Sequence, residues 1–132
     1  MTSVIVSIGI DITEISRVRE VLARTPRFRE RVFTGRERAY CDSRGAKSAE
    51  HYAARFAAKE AAFKALGTGW SGGLGWQHVE VVNEDSGAPL LVLHERAREL
   101  FDSLGATRAH LSLSHTSEHA VAQVIFERRE DG

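Results

Sequence analysis

The sequence predicts an α+β fold built on a mainly antiparallel sheet, and three observations carry that prediction. An alternating apolar run opens the chain at residues 3–12, and an alanine-rich stretch at 48–66 is free of glycine and proline. Two strand-like runs near the end are separated only by the polar tip Thr116-Ser-Glu-His119. Helical and strand patterns interleave irregularly, so the regular alternation of a doubly wound nucleotide-binding sheet is not expected.

In the first run Val4, Val6, Ile8, Ile10 and Ile12 share one face, while Ser3, Ile5, Ser7, Gly9 and Asp11 share the other. That is a strand whose second face is small and partly polar. Thr13 and Glu14 open a helix to about Arg24, which Pro26 helps to stop. Thr34-Gly-Arg-Glu37 has the spacing of a capping box ahead of a short helix to about Cys41. Residues 48–66 make the strongest helix, and Gly67 closes it as a C-cap. Residues 67–75 hold five glycines in nine positions and form a loop whose backbone can approach a ligand closely. Residues 78–82 and 90–93 read as strands joined across a turn at Asp85-Ser-Gly87-Ala-Pro89, and 95–104 as a helix ended by Gly105. Residues 109–115 and 120–128 complete the chain as a hairpin.

The 132 residues, 42% hydrophobic and 27% charged, suit one domain spanning 1–132 with a core that needs no disulfide or structural metal. The single cysteine, Cys41, excludes an intrachain disulfide framework and a multi-cysteine zinc site, and points to a reducing cytoplasm. No membrane association is expected, because no apolar run approaches the roughly 18 residues of a span. The net charge of zero conceals a division: residues 1–76 carry 13 basic and 8 acidic side chains, residues 77–132 carry 5 and 10. Arg17, Arg19, Arg24, Arg27, Arg29, Arg31, Arg36 and Arg38 crowd one segment. Such a cluster suits an acidic or phosphorylated partner, and equally a solvated face or a contact with a neighbouring subunit. Nucleic acid is not expected, since no recognition signature accompanies the arginines.

On the long helix Glu60 falls about 40° from Phe56, at the margin of the aromatic stripe. It is either a surface carboxylate pairing with Lys64 at i+4 or a half-buried anion that needs a cation. Asp11, beside the space left by Gly9, is either a turn carboxylate accepting backbone N–H bonds or a metal ligand. Joined, the two are hard oxygen donors suited to magnesium, which keeps waters and takes further ligands from substrate phosphates. The glycine-rich loop carries neither phosphate-loop nor dinucleotide fingerprint, and Ser112-Leu-Ser114-His115 lacks the nucleophile elbow of a hydrolase. Cys41 reads as a buried small apolar residue.

Four segments, in order, resemble one family. They are Gly9-Ile-Asp11-Ile-Thr-Glu-Ile-Ser-Arg17, Phe33-Thr-Gly-Arg-Glu37, Arg55-Phe-Ala-Ala-Lys-Glu60-Ala-Ala-Phe-Lys64-Ala-Leu-Gly-Thr-Gly69, and Leu111-Ser-Leu-Ser-His115-Thr116. They resemble the holo-acyl-carrier-protein synthases, the short type of 4′-phosphopantetheinyl transferase, and the likeness spans residues 5–127. The first and third segments together are highly specific. The resemblance implies a mainly antiparallel sheet packed against a long helix. It also implies transfer of the phosphopantetheine arm of coenzyme A to a serine of an acyl carrier protein, in fatty acid biosynthesis, with adenosine 3′,5′-bisphosphate released. Asp11 and Glu60 match the family's magnesium-binding carboxylates, and Lys64 is placed to stabilise or protonate the departing group. Arg55, Lys59, Lys64, Gly67, Gly69 and His115 are implied around coenzyme A, Arg55 and Lys59 either contacting phosphates or shaping the site, with Glu60, a metal-ordered water or His115 as proton acceptor. Arg17 and Arg24, with Phe28 as apolar anchor, match positions that meet an acidic helix of the carrier, which is either free-standing or a domain of a large synthase. Family members of this length are homotrimers with the coenzyme A groove between subunits. Two other readings compete: a hydrolase that uses the same carboxylates on nucleotide pyrophosphates with water as acceptor, and a non-catalytic module whose arginines grip an acidic partner.

Overall fold

The structure is a computed structural model that describes residues 2–67 and 72–130. The opening alternation forms strand β1 (Thr2–Glu14), followed by helices α1 (Ile15–Arg24), α2 (Pro26–Val32) and α3 (Gly35–Asp42). The long helix α4 (Ser48–Leu66) precedes strands β2 (Val79–Asn83) and β3 (Pro89–Leu93), helix α5 (Glu95–Ser103), and strands β4 (Arg108–His115) and β5 (His119–Glu130). Strand β5 lies between β1 and β4 in an antiparallel sheet, and β2 with β3 forms a separate antiparallel pair. The expected α+β class is the observed one.

The small face of β1 determines how closely α4 can lie on the sheet. A Cβ added at Gly9 would stand 1.9 Å from the Ala61 carbonyl oxygen, so only glycine admits this approach. Two residues earlier the Ser7 hydroxyl donates to the Ala65 carbonyl at 2.8 Å. Ala57, Ala58, Ala61, Ala62 and Ala65 of α4 are buried in one cluster with Ala122, Val124 and Phe126 of β5, where larger groups would force helix and sheet apart. Gly9 pairs with Val124 and Asp11 with Ala122, which puts Asp11 on the face that α4 covers. The aliphatic face points outward from Ile8 onward, with Ile8, Ile10 and Ile12 53%, 52% and 64% exposed, but the expected alternation breaks at a register shift between Ile5 and Ser7, so Val6 packs against the core and Ile5 is 59% exposed.

Helix boundaries follow local chemistry. The capping box is complete: the Glu37 amide donates to the Thr34 hydroxyl at 3.2 Å and the Thr34 amide to the Glu37 carboxylate at 2.9 Å. Gly67, with φ of +84°, ends α4 in the left-handed region. Pro26 does more than the sequence reading assigned to it. It ends α1 and also occupies the first turn of α2, where its fixed φ suits a helix and its missing N–H leaves nothing unpaired. None of the helices among the described residues is long and apolar enough to cross a membrane.

Candidate active site

A cleft of about 410 Å³ opens where the end of β1 meets α1, α2 and α4, and its walls include Asp11, Arg17, Phe28, Phe56 and Glu60. The two carboxylates expected to act together thus share one concavity, Asp11 from the strand and Glu60 from the helix laid across it. Lys64, one turn beyond Glu60, does not form the expected i+4 pair. It donates instead to Asp11 Oδ1 at 3.1 Å and to the Ile10 carbonyl at 2.9 Å. The Thr13 hydroxyl donates to Asp11 Oδ2 at 3.1 Å and fixes the other oxygen. Burial, and then the negative charge of Asp11, push the Glu60 carboxyl above the usual carboxylate range, with Lys64 opposing them.

A carboxylate raised by a second carboxylate is relieved by a cation between them, and this donor set fits magnesium in chemistry. Among the described residues no group of three histidine, cysteine, aspartate or glutamate side chains is placed to hold a metal. Asp11 and Glu60 would then leave the remaining positions to water and to oxygens of a phosphorylated ligand, as hard divalent cations accept.

The residues expected around a phosphorylated ligand divide into two groups. Lys59 is placed to shape the site and not to touch phosphate: its side chain is 0% exposed, paired with the equally buried Glu37 at 2.8 Å and donating to the Trp76 and Val79 carbonyls. It is an internal cation that no solvent-borne phosphate can touch. The Gly67 amide is likewise occupied, bonded to the Phe63 and Lys64 carbonyls at 3.1 Å as it caps α4. Gly69 lies outside the described residues. Arg55, 2% exposed, is nearly as enclosed as Lys59. Its guanidinium bonds the Asn83 side chain and lies 4.3 Å from the Tyr40 ring centroid, while its buried Nε finds no hydrogen-bond partner among the described residues. His115 is 45% exposed and stands 3.8 Å from Glu50, outside the wall of the carboxylate cleft. Both it and Thr13 pair with Ala120 from opposite sides, so it sits two strand spacings, about 9–10 Å, from the Asp11 side of the sheet. As proton acceptor for chemistry at Asp11 and Glu60 it is therefore displaced within one chain. Nearby, Arg44, which the sequence did not single out, joins Arg55 on the Tyr40 ring. Burial, and then the charges of Arg55, Arg44 and His115, lower the pKa of His51.

Of the residues expected to meet a carrier, Arg17 and Phe28 line the cleft, while Arg24 is exposed at the end of α1 beyond it. The dense arginine segment is not uniformly free charge. Arg29 pairs with Asp42 and Arg36 with Glu80 at 2.8 Å. The internal roles of Glu37, paired with Lys59, and of Glu80, bonded to Thr34, went unnoticed in the sequence, although Glu37 stood out in the capping box and in one of the four resembling segments.

A sequence model of the 4′-phosphopantetheinyl transferase superfamily matches residues 7–124. A holo-[acyl-carrier-protein] synthase of Koribacter versatilis is 48% identical over 124 residues, which is 93% of this chain and 98% of the relative. Among solved structures, a holo-(acyl-carrier-protein) synthase of Bacillus anthracis in complex with CoA (3′,5′-ADP) is 40% identical with a TM-score of 0.78, covering 95% of this chain and 98% of that one. The Helicobacter pylori synthase in complex with coenzyme A is 32% identical with a TM-score of 0.76, covering 90% and 98%.

Proposed function

The chain belongs to the holo-acyl-carrier-protein synthases of the 4′-phosphopantetheinyl transferase superfamily, and from that premise we propose a magnesium-assisted transfer of phosphopantetheine from coenzyme A to a serine of apo acyl carrier protein. The observation that carries the site assignment is the cleft shared by Asp11 and Glu60, with Lys64 reaching across to Asp11. When bound there, magnesium supplies positive charge to the pyrophosphate. The serine oxygen forms a bond to the β-phosphorus, the bond from that phosphorus to the bridging oxygen breaks, and adenosine 3′,5′-bisphosphate leaves. Glu60, in the cleft beside the acceptor oxygen, accepts the serine proton at its carboxylate. Lys64 uses two donors on Asp11 and Ile10 and keeps its third for an oxygen of the departing phosphate. Holding the acceptor oxygen in line is the larger part of such a transfer, because the protein has little covalent chemistry to perform.

Coenzyme A carries phosphates beyond the one attacked, and the exposed Arg44, stacked with Arg55 on the Tyr40 ring, supports a place for them there. Arg17, Arg24 and Phe28 present positive charge and an apolar ring to the acidic carrier. The exposed isoleucines of β1 support assembly as a homotrimer, and the lone buried thiol of Cys41 suits a cytoplasmic setting.

Intact-protein mass spectrometry of apo acyl carrier protein, incubated with this protein, coenzyme A and magnesium, tests the reading. The expected result is a gain of one phosphopantetheine mass that a chelator abolishes. Consumption of coenzyme A with no gain on the carrier would favour hydrolysis instead. Glu60→Ala is expected to lower transfer by about 10²- to 10³-fold or more, with the circular dichroism of the native fold retained.

A further inference from the structure

Helix α2 has only seven residues, too few to hold a helix unaided, yet it delivers Phe28 to the cleft. Its position is set by side chains from other elements. On one flank Arg29 donates from Nε to the Tyr52 hydroxyl at 2.9 Å and pairs with Asp42, while the Tyr52 hydroxyl donates to Asp42 at 2.7 Å. Three groups from α2, α3 and α4 thereby close a ring of hydrogen bonds. At the end of α2 the Gln77 side-chain amide donates to the carbonyls of Glu30 at 2.8 Å and Phe33 at 3.1 Å, which the helix itself leaves unpaired. The Tyr52 ring, 1% exposed, meets Phe33 edge-on at 4.8 Å, and Phe33 meets Phe28 at 5.9 Å. The chain from the ring of hydrogen bonds to the cleft wall is therefore continuous.

We propose that Arg29, Asp42 and Tyr52 are positioning residues that hold α2 so that Phe28 presents a fixed edge to the carrier protein. This rests on the transferase reading above. A surface ion pair alone contributes little, but here both partners also bond a buried tyrosine, so the geometry is shared rather than free to rotate away. A rigid docking element lowers the ordering cost of association and so acts on affinity for the carrier, not on the chemical step.

The competing view, that Arg29 is one more cation for an acidic partner, predicts the opposite sign for one substitution. Asp42→Asn removes a negative charge, and on a purely electrostatic surface it would lower the KM for an acidic carrier. As a brace, its loss raises that KM. Steady-state transfer by Asp42→Asn and by the near-isosteric Tyr52→Phe is compared with wild type, alongside hydrogen exchange of residues 26–33. The expected result is a rise of about 5-fold in carrier KM for Asp42→Asn and less for Tyr52→Phe, with kcat and the coenzyme A KM within about two-fold and faster exchange across 26–33. An unchanged or lowered carrier KM for Asp42→Asn, or unaltered exchange in both variants, overturns the proposal. Wild-type protein that transfers nothing would refute the transferase reading separately, and the exchange data would still decide whether the ring holds α2.

Discussion

At Gly9 a single hydrogen atom sets the distance between strand and helix, and everything at the carboxylate cleft depends on that distance. A Cβ there would meet backbone on α4, at 1.9 Å from the Ala61 oxygen and 3.0 Å from the Ala65 nitrogen, and backbone cannot rotate aside as a side chain can. Gly9→Ala is therefore expected to destabilise the fold by about 2–4 kcal/mol and to depress transfer by moving Asp11 relative to Glu60. Urea unfolding with a parallel activity assay checks both; unaltered stability would mean that α4 shifts at no cost. The buried pair of Lys59 and Glu37 makes a second case. Each is 0% exposed, and the other Glu37 oxygen accepts the Val81 amide at 2.8 Å. Removing one charge strands the other away from water, so Lys59→Met is expected to cost about 3–5 kcal/mol. Replacing both with apolar residues should recover part of that loss, and a double-mutant cycle measured by chemical unfolding would show the double variant losing far less than the sum of the two singles.

Between elements, Glu80 ties the start of α3, strand β2 and the start of α5 together. It accepts from the Thr34 hydroxyl at 2.6 Å and from Arg36 at 2.8 Å, and lies 3.0 Å from His94 Nε2. Burial disfavours its charge, but these hydrogen bonds outweigh that effect and take its pKa from 4.5 down to about 2. A depressed carboxylate stabilises the fold above its unfolded pKa and stops doing so as pH falls toward the folded value. Stability should accordingly fall between about pH 4.5 and pH 2, and Glu80→Gln should flatten that limb while costing about 1–3 kcal/mol at pH 7. Urea midpoints measured against pH would reveal an unchanged limb if the assignment were wrong. The same three-way linkage shows what the sequence could and could not disclose. Helix α4 was legible to the residue because its alanine run has an intrinsic preference and a glycine stop. Helix α2 was not, because Pro26 is compatible with ending one helix and with starting the next, and the arginines that follow carry no apolar period of their own. Asp11 and Glu60 were legible as a pair through motif and helical phase, whereas the burial of Lys59 depended on Glu37, 22 positions away and on another element.

For the molecule as a whole, the outer face of the three-stranded sheet is the feature that a single chain leaves unexplained. Ile8 pairs with Ile125 and Ile12 with Val121, so aliphatic side chains adjoin across two strands, and Ile8, Ile10 and Ile12 are each more than half exposed. Scattered apolar residues need no explanation, but an aligned stripe on a sheet face does. Burying one such side chain is worth about 1.5–3 kcal/mol, and a closed ring of three copies would bury the stripe on every protomer. The opposed charge of the two halves of the chain adds a means of aligning the copies. Ile10→Glu puts three like charges into the proposed centre and should leave the fold of each protomer intact. Sedimentation velocity is expected to show wild type as a trimer and Ile10→Glu as a monomer, with transfer lost although Asp11, Glu60 and Lys64 are untouched. A variant that stays trimeric would place the assembly surface elsewhere, and a wild-type protein fully active as a monomer would show that one chain holds the whole site.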